Sequence, residues 1–292
     1  MRLPAFNPHP EVVLLVVAML GAYLWALRTL GPSRVLPGEP AATRAQRVSF
    51  VGGVATLFVA AWWPMHDLAE RYLYSIHMVE HLLIMLVAPP LLLFGMPAWL
   101  LRWVLQARPL NWIVRHLARP FVGLVLFNAV LVLSHWPAVV TLSVQNEWFH
   151  FGAHTVLFCS ALLMWWPVLS PLPEMPTLSY PGRMLYLFLQ SIVPTVPASI
   201  LTFGSTLLYK VYGTFPRIWG LSALTDQRIA GLTMKLAGGA ILWALIAVVF
   251  FKWYGQENTT EGWDAMEWRK VEREIGRELS RPAPAVKEVE VR

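Results

Sequence analysis

The chain has 292 residues, of which 57% are hydrophobic and only 14% are charged, and its mean hydropathy is +0.52. Soluble domains carry about a quarter charged residues, so this composition excludes a soluble globular protein and predicts an integral membrane protein. The net charge is +6, and the single cysteine, Cys159, excludes a disulfide framework and a cysteine-rich metal site.

Seven apolar stretches are long enough to cross a bilayer, for which a helix needs about 20 residues. They predict an all-α integral membrane protein, a seven-transmembrane-helix bundle formed by residues 1–256. Arg2 alone precedes the first stretch, whereas Arg28 and Arg34 follow it, so we expect a span there rather than a cleavable signal peptide. In chain order the stretches run over about 11–30, 48–64, 72–95, 120–136, 148–169, 183–204 and 230–253.

Two other segments have the composition of non-spanning structure. Residues 96–119 interleave tryptophan with arginine and contain Pro109, which favours short amphipathic helices in the cytoplasmic interface. Residues 257–292 hold nine acidic and seven basic residues. We therefore expect a charged cytoplasmic tail, with one exposed helix at about 261–280 and a disordered end.

Prolines inside two of the predicted spans indicate bends. Pro89 and Pro90 interrupt the third span, and Pro194 and Pro197 interrupt the sixth. Each proline removes a helix hydrogen bond, so we expect kinks that serve the packing of the bundle.

The distribution of lysine and arginine among the loops predicts the orientation of the bundle. The loops on one side of the membrane carry ten lysines and arginines, and the loops on the other side carry five. Three of those five lie in the loop 205–229, which therefore fits the expected orientation less well. The richer side is expected to be cytoplasmic, with the N-terminus outside and the C-terminus inside the cell. These basic residues lie beside spans, where anionic lipid explains them, so we expect the lipid bilayer as a partner and no nucleic acid.

Seven of the eight histidines fall near the outer end of the predicted spans. Four of them form two His-x-x-x-His pairs, His77/His81 in the third span and His150/His154 in the fifth. Residues i and i+4 share one face of a helix, so each pair presents two imidazoles side by side. Ionisable groups at membrane depth are costly and usually functional. The outer set is His9, His66, His77, His81, His135, His150 and His154, and His116 alone is placed on the cytoplasmic side.

This one-sided set predicts a metal site. Imidazole binds copper, zinc, iron and nickel, and thioether sulfur favours Cu(I). Met85 follows His81 by four residues on the same predicted face, whereas structural zinc usually recruits cysteine, so copper is the favoured ion. The predicted ligands are His77, His81, His135, His150 and His154, with His66 and Met85 as supporting candidates.

Three charged residues lie beside the predicted site. Glu80 either accepts a hydrogen bond from an imidazole and orients it, or is an interfacial charge. Asp226 has the same possible role, and also fits an N-cap at the start of the seventh span. Lys235, within that span, is expected to snorkel outward or to pair with one of these carboxylates.

The chain resembles the CtaG-type assembly factors of caa-type cytochrome c oxidase over most of residues 50–255. The resemblance rests on His77-Met78-Val79-Glu80-His81-Leu82-Leu83 before Ala88-Pro89-Pro90-Leu91, on His135-Trp136-Pro137, on His150-Phe151-Gly152-Ala153-His154, and on Asp226-Gln227 followed by Gly231 and Met234. Two positions depart from the family pattern, Glu80 and Lys235, where the family more often carries glutamine and tryptophan.

The resemblance implies a cytochrome c oxidase assembly factor in a bacterial cytoplasmic (inner) membrane, crossing it several times. It implies that copper is handled at the outer face of this cytoplasmic membrane. Oxidase subunits and a periplasmic copper carrier are the expected partners. The residues themselves imply only a one-sided imidazole cluster. Since we recognise no nucleophile–base arrangement, we do not expect an enzyme.

Four alternatives compete with this interpretation. A bis-histidine haem protein would use imidazoles from two helices as axial ligands. A retinal-type protein would use Lys235 but leaves the histidines unexplained. A metal transporter would usually carry midplane sites and internal repeats, and neither is apparent. A scaffold for oxidase assembly that binds no metal is the fourth.

Overall fold

The computed structural model describes residues 4–175 and 177–279, with the side chains of all but 259–266 and 276–279. Within these ranges the chain is helical and contains no strand. It divides into two units, Met1–Ile246 and Ala247–Arg292. The first unit contains all eight histidines.

Fourteen α-helices are present in the described ranges, and several are joined end to end by π or 3₁₀ turns. They are α1 Pro10–Trp25, α2 Arg44–Ala61, α3 Met65–Arg71, α4 Tyr74–Leu82, α5 Ala88–Gly95, α6 Ala98–Val104, α7 Arg108–Leu117, α8 Pro120–Ser134, α9 Pro137–Gln145, α10 Glu147–Leu169, α11 Tyr180–Ile192, α12 Thr195–Phe203, α13 Ala223–Leu232 and α14 Gly238–Leu279.

Five helical stretches in the described ranges are long and apolar enough to cross a membrane, or up to seven when two bent pairs each count as one span. The bent pairs are α2 with α3, at 41°, and α7 with α8, at 92°. A multi-pass membrane protein is therefore confirmed, whereas the exact count of seven and the orientation of the termini stay predictions. The five stretches are Pro10–Ser33, Tyr74–Gly95, Glu147–Leu169, Tyr180–Phe203 and Ala223–Asn258.

The helix changes at the prolines of the third and sixth predicted spans. Pro89 and Pro90 lie in the first turn of α5, directly after a π turn at Leu83–Val87 that joins α5 to α4. Proline has no N–H to donate to the preceding turn, so the ladder of hydrogen bonds shifts there. In the sixth span α11 ends at Ile192, and α12 begins after Pro194.

The segment 96–119 forms the two short helices α6 and α7, as the sequence predicts. Arg102 of α6 donates two hydrogen bonds to the exposed carboxylate of Glu174, in the loop after α10, at 2.7 and 3.1 Å. This pairing with Arg102 lowers the pKa of Glu174 to about 2. The ion pair connects α6 to the end of α10.

Close packing joins the N-terminal helices to α5. A Cβ on Gly95 would lie 2.5 Å from the backbone nitrogen of Phe50, so only glycine permits this approach of α5 to α2. The Tyr23 hydroxyl donates to the Gly95 carbonyl at 2.9 Å, and its ring stacks on Phe50 at 3.9 Å. These contacts place α1 and α2 along one side of the α4–α5 span.

The charged tail begins inside a long helix. α14 continues without a break from Gly238 to Leu279, so the helix expected at about 261–280 is the end of a much longer one. The disordered end expected for the tail falls on residues 280–292, which lie outside the described ranges.

Candidate metal centre

The two His-x-x-x-His pairs face each other across α4 and α10. Ring centroids lie 4.3 Å apart for His77 and His81, and 4.0 Å apart for His150 and His154. Between the helices, His154 lies 4.9 Å from His81 and 5.6 Å from His77. The tertiary structure therefore joins two sequence-distant pairs into one imidazole cluster.

Three of these imidazoles converge on a common point. The Nε2 atoms of His81 and His154 are 3.1 Å apart, so in the absence of an ion one nitrogen donates a proton to the other. One ligand atom from each of His77, His81 and His154 lies within 4.8 Å of the others. Metal–imidazole bonds of about 2.1 Å hold nitrogens roughly 3.4 Å apart in a tetrahedron, so a small inward movement would surround one ion.

His135 extends the cluster from the end of α8. Its ring centroid lies 6.1 Å from that of His81, and its Nδ1 lies 2.8 Å from the Leu131 carbonyl. A carbonyl can only accept, so Nδ1 carries the proton and Nε2 keeps a free lone pair. That Nε2 is buried without a hydrogen-bond partner. Such an arrangement is typical of an imidazole oriented for a metal.

Asp226 positions the helix that carries His77 and His81. Its carboxylate is fully buried and accepts hydrogen bonds from the backbone N–H groups of Tyr74 and Ser75, at 2.7 and 3.0 Å. The Ser75 hydroxyl donates to it at 2.6 Å. Asp226 therefore satisfies the free N–H groups at the start of α4, although it lies on α13.

The N-cap role expected for Asp226 on its own helix is corrected by this geometry. Ser222 caps α13, because its side chain accepts from the Thr225 N–H at 3.1 Å. Asp226 lies one turn further along, where its backbone N–H is already bonded within the helix. Its carboxylate is free to reach α4.

Glu80 lies against histidines, as one of its two predicted roles requires. It is fully buried, and its Oε1 lies 2.9 Å from His66 Nδ1. The same carboxylate is 3.8 Å from His77 Nδ1 and 4.0 Å from His154 Nδ1. Glu80 is therefore a buried acidic group beside the imidazole cluster.

Two histidines differ from the rest because their rings are engaged elsewhere. His9 uses both nitrogens, with Glu11 at 3.1 Å and Asp67 at 3.0 Å, and only packs edge-on against His66. His116 is bonded to the Trp112 carbonyl at 2.8 Å and stacks on that indole. Both have ordinary structural partners.

Met85 and Lys235 line a different cavity, deeper along the same helices. This cavity has a volume of about 40 Å³ and is also lined by Met164, Met234 and Gln190. The π turn at Leu83–Val87 changes the helical register after His81, which separates Met85 from the face of the histidines. Lys235 is exposed and lies over the Phe203 ring at 6.0 Å. Outward snorkelling therefore fits this lysine better than an ion pair with Asp226 or Glu80.

The cluster is rich in polar atoms that have no partner. Among the described residues, buried atoms without a hydrogen bond are concentrated here, and unpaired buried nitrogens and oxygens are costly. A cation would satisfy them, and imidazole with carboxylate is a suitable donor set. The atoms in the cluster and directly beside it are His77 Nδ1, Glu80 Oε2, His81 Nδ1, His135 Nε2 and His150 Nε2.

Glu70 was missed by reasoning from the sequence. It lies on α3 four residues after His66, and its Oε1 is 3.2 Å from His150 Nε2 and 3.6 Å from His77 Nδ1. The i, i+4 spacing of His66 and Glu70 is the signal that could have identified it. That signal depends on recognising α3, a seven-residue helix within a predicted loop.

The chain has relatives among curated proteins. Two curated proteins are similar, uncharacterized protein Mb0105 of Mycobacterium bovis and uncharacterized protein MT0111 of Mycobacterium tuberculosis, each 26% identical over 191 residues. These matches cover 59% of this chain but 27% of each relative, so the chain spans about a quarter of their length. No solved structure matches the chain.

A family model, the cytochrome c oxidase caa3 assembly factor (Caa3_CtaG), matches residues 21–256. The matched region includes α4 and α10, and with them all four histidines of the two facing pairs. The resemblance seen in the sequence is thereby confirmed over most of the chain, and the protein belongs to the family of cytochrome c oxidase caa3 assembly factors.

Proposed function

We propose that the protein supports assembly of a haem–copper oxidase by binding copper in the imidazole cluster. The observation that carries this proposal is the convergence of His77, His81 and His154 from two helices. His81 is buried and the other two are partly buried, and the Nδ1 atoms of His77 and His81 are buried without hydrogen-bond partners. The copper enters as cargo for the oxidase.

The chemistry of the cluster suits an ion that must later be released. Imidazole ligands hold copper, and a site with few neutral ligands can exchange Cu(I) with a partner. His135 and His150 lie next to the three convergent histidines and provide further nitrogens. An ion could therefore pass between overlapping ligand sets. Met85, in the deeper cavity, is not needed for this exchange.

The geometry favours an ion over a haem. The cavity lined by His77, His81, His150 and His154 has a volume of about 30 Å³, far below the roughly 300–1,000 Å³ of pockets that hold larger organic ligands. The Nε2 atoms of His81 and His154, 3.1 Å apart, leave no slot for a macrocycle between them. A bis-histidine haem would require the two helices to separate.

The position of the site in the membrane follows from the proposed topology. With the N-terminus outside, the cluster faces the outer side of a bacterial cytoplasmic membrane, where an exposed oxidase copper centre would be loaded. The partners proposed are oxidase subunits and a periplasmic copper carrier. Transfer of the ion, and no catalytic step, is the role proposed for the histidines.

Cu(I) titration of the purified, metal-stripped protein against a chromogenic chelator tests copper binding. A His81→Ala/His154→Ala variant should bind Cu(I) at least about tenfold more weakly. His116→Ala, whose ring bonds to Trp112, is the matched control and should bind normally. Equal affinity in all three proteins would contradict a copper site in the cluster.

A strain that lacks the protein tests the role in assembly. We expect it to make the oxidase polypeptides but to lose oxidase activity, which the wild-type protein restores and the double histidine variant does not. If the double variant restores full activity, the protein is a scaffold and the copper proposal fails. Normal activity in the deletion strain would contradict a role in assembly.

A further inference from the structure

A second group of metal-binding side chains lies beside the imidazole cluster. His66 and Glu70, one turn apart on α3, meet Glu80 of α4, and one ligand atom from each lies within 4.8 Å of the others. One nitrogen and two carboxylate oxygens form a harder donor set than the three imidazoles next to them. The two groups share no residue.

The charge of this second group requires compensation. Glu80 is fully buried, and its Oε2 has no hydrogen-bond partner. Within the described residues, every ion pair formed by Glu70 or Glu80 is with a histidine, and no lysine or arginine is paired with either. The Glu80 carboxylate is removed from water and the Glu70 carboxylate is only 21% exposed, so without a fixed cation their charge is costly and the site favours a bound cation.

The two carboxylates lie between the second group and the imidazole cluster. Glu70 Oε1 is 3.2 Å from His150 Nε2, yet His150 Nε2 lacks the geometry of a hydrogen bond and is buried without a partner. Glu80 is near His66 through Oε1 and near His77 through Oε2. A carboxylate in this position can contact one ion on each side.

We propose that His66, Glu70 and Glu80 bind a divalent cation of the zinc class, so that the protein contains a two-metal centre with its carboxylates between the two ions. The cation replaces the proton that His66 Nδ1 and Glu80 Oε1 otherwise share, and it compensates the charge of the buried Glu80 carboxylate. His150 completes the coordination from α10. The other three donors are separate from His77, His81 and His154, so the second site does not rest on the copper proposal.

Zinc titration of the full-length protein in detergent tests this site. The protein is stripped of metal and loaded with Cu(I) to occupy the imidazole cluster, and bound Zn²⁺ is then measured by metal analysis. Wild type should bind about one further Zn²⁺ ion in a four-coordinate N/O site, with metal–ligand distances of about 2.0–2.2 Å in X-ray absorption. Wild type that binds no Zn²⁺ would overturn the proposal.

Near-isosteric variants separate the two sites. Glu70→Gln and Glu80→Gln should weaken Zn²⁺ binding at least about tenfold, whereas Glu174→Gln, an exposed carboxylate paired with Arg102, should not. Unchanged Zn²⁺ affinity in both Glu70→Gln and Glu80→Gln would also overturn the proposal. Thermal unfolding of each variant verifies that the bundle is intact.

The zinc proposal can still be tested separately from the copper proposal if copper does not bind at all. Zn²⁺ is then titrated into His81→Ala/His154→Ala, in which the imidazole cluster has lost two ligands. Retention of Zn²⁺ binding in this variant, with its loss on adding Glu70→Gln, supports the second site while the copper proposal fails. Loss of all Zn²⁺ binding in the double histidine variant would mean a single imidazole site and would overturn the inference.

Discussion

Asp226 of α13 caps the N-terminus of α4, accepting hydrogen bonds from the backbone N–H groups of Tyr74 and Ser75 at 2.7 and 3.0 Å. His77 lies within the first turn of that helix and His81 one turn further. A single buried carboxylate, 152 residues away in sequence from Tyr74, thus determines where the first pair of imidazoles begins.

Asp226→Ala should therefore weaken both the fold and the site. Loss of a cap costs about 1–2 kcal/mol, and the N–H groups of Tyr74 and Ser75 would be left buried without acceptors. We expect a lower unfolding temperature in detergent and weaker Cu(I) binding, measured by thermal scanning and chelator competition. Glu11→Gln, at an exposed carboxylate of α1, is the control. Wild-type behaviour of Asp226→Ala would mean that α4 is positioned by packing alone.

Tyr209 should support His135 from the loop before α13. Its hydroxyl donates to the His135 carbonyl at 2.8 Å and is buried. Tyr209→Phe removes this hydrogen bond with little change in volume, so the free energy of unfolding should fall by about 1 kcal/mol. Chemical denaturation in detergent measures the change. Tyr254→Phe, at an exposed position, should have no effect, and an equal loss in both variants would contradict the assignment.

The Arg102–Glu174 ion pair should stabilise the protein only while Glu174 is ionised. Its pKa is lowered from about 4.5 to about 2, so the stabilisation is fully present above about pH 4.5 and is lost as the pH falls toward 2. The difference in unfolding temperature between wild type and Arg102→Gln should be small at pH 7, because the pair is exposed, and should shrink below pH 4.5. A difference that grows with acidification would contradict this sign.

Met85→Leu tests whether the thioether contributes to copper binding. Met85 is buried in the deeper cavity with Met164 and Met234, and leucine has a similar volume. We expect the Cu(I) affinity of Met85→Leu to stay within about threefold of wild type, since removing a true ligand typically costs at least tenfold. A tenfold loss would place sulfur among the ligands and would require the deeper cavity to open toward His81.

Reporter fusions test the proposed topology. Fusions at Gly38 and after residue 256 should read cytoplasmic, and a fusion at Gln145 should read external, because the loops expected inside carry ten basic residues against five. Gln145 ends α9, next to the start of α10 that carries His150. An external signal from the tail would reverse the orientation and place the histidines on the cytoplasmic face.

Local sequence patterns predicted several apolar helices within a few residues, although the last helical stretch begins at Ala223, before the expected residue 230. The stretch expected at 148–169 is α10 at Glu147–Leu169, and the stretch at 72–95 is α4 to α5 at Tyr74–Gly95. Hydropathy works at this level because the bilayer requires a long run of apolar residues from each span. Short helices such as α3 and α9 lack that signal, so the sequence indicated only loops there.

The i, i+4 spacing of His77/His81 and of His150/His154 was sufficient to pair imidazoles on one helix, since helical periodicity is local. The approach of α4 to α10 is a matter of packing between distant segments, and no periodicity within one helix specifies its neighbour. Packing between distant segments also brings Glu70 of α3 to His150 and the Asp226 carboxylate of α13 to the start of α4. The sequence by itself determined a membrane protein with histidines near one end of its spans. Only the tertiary structure decided that four of them form one cluster beside two carboxylates, because the packing of distant helices determines which buried side chains meet.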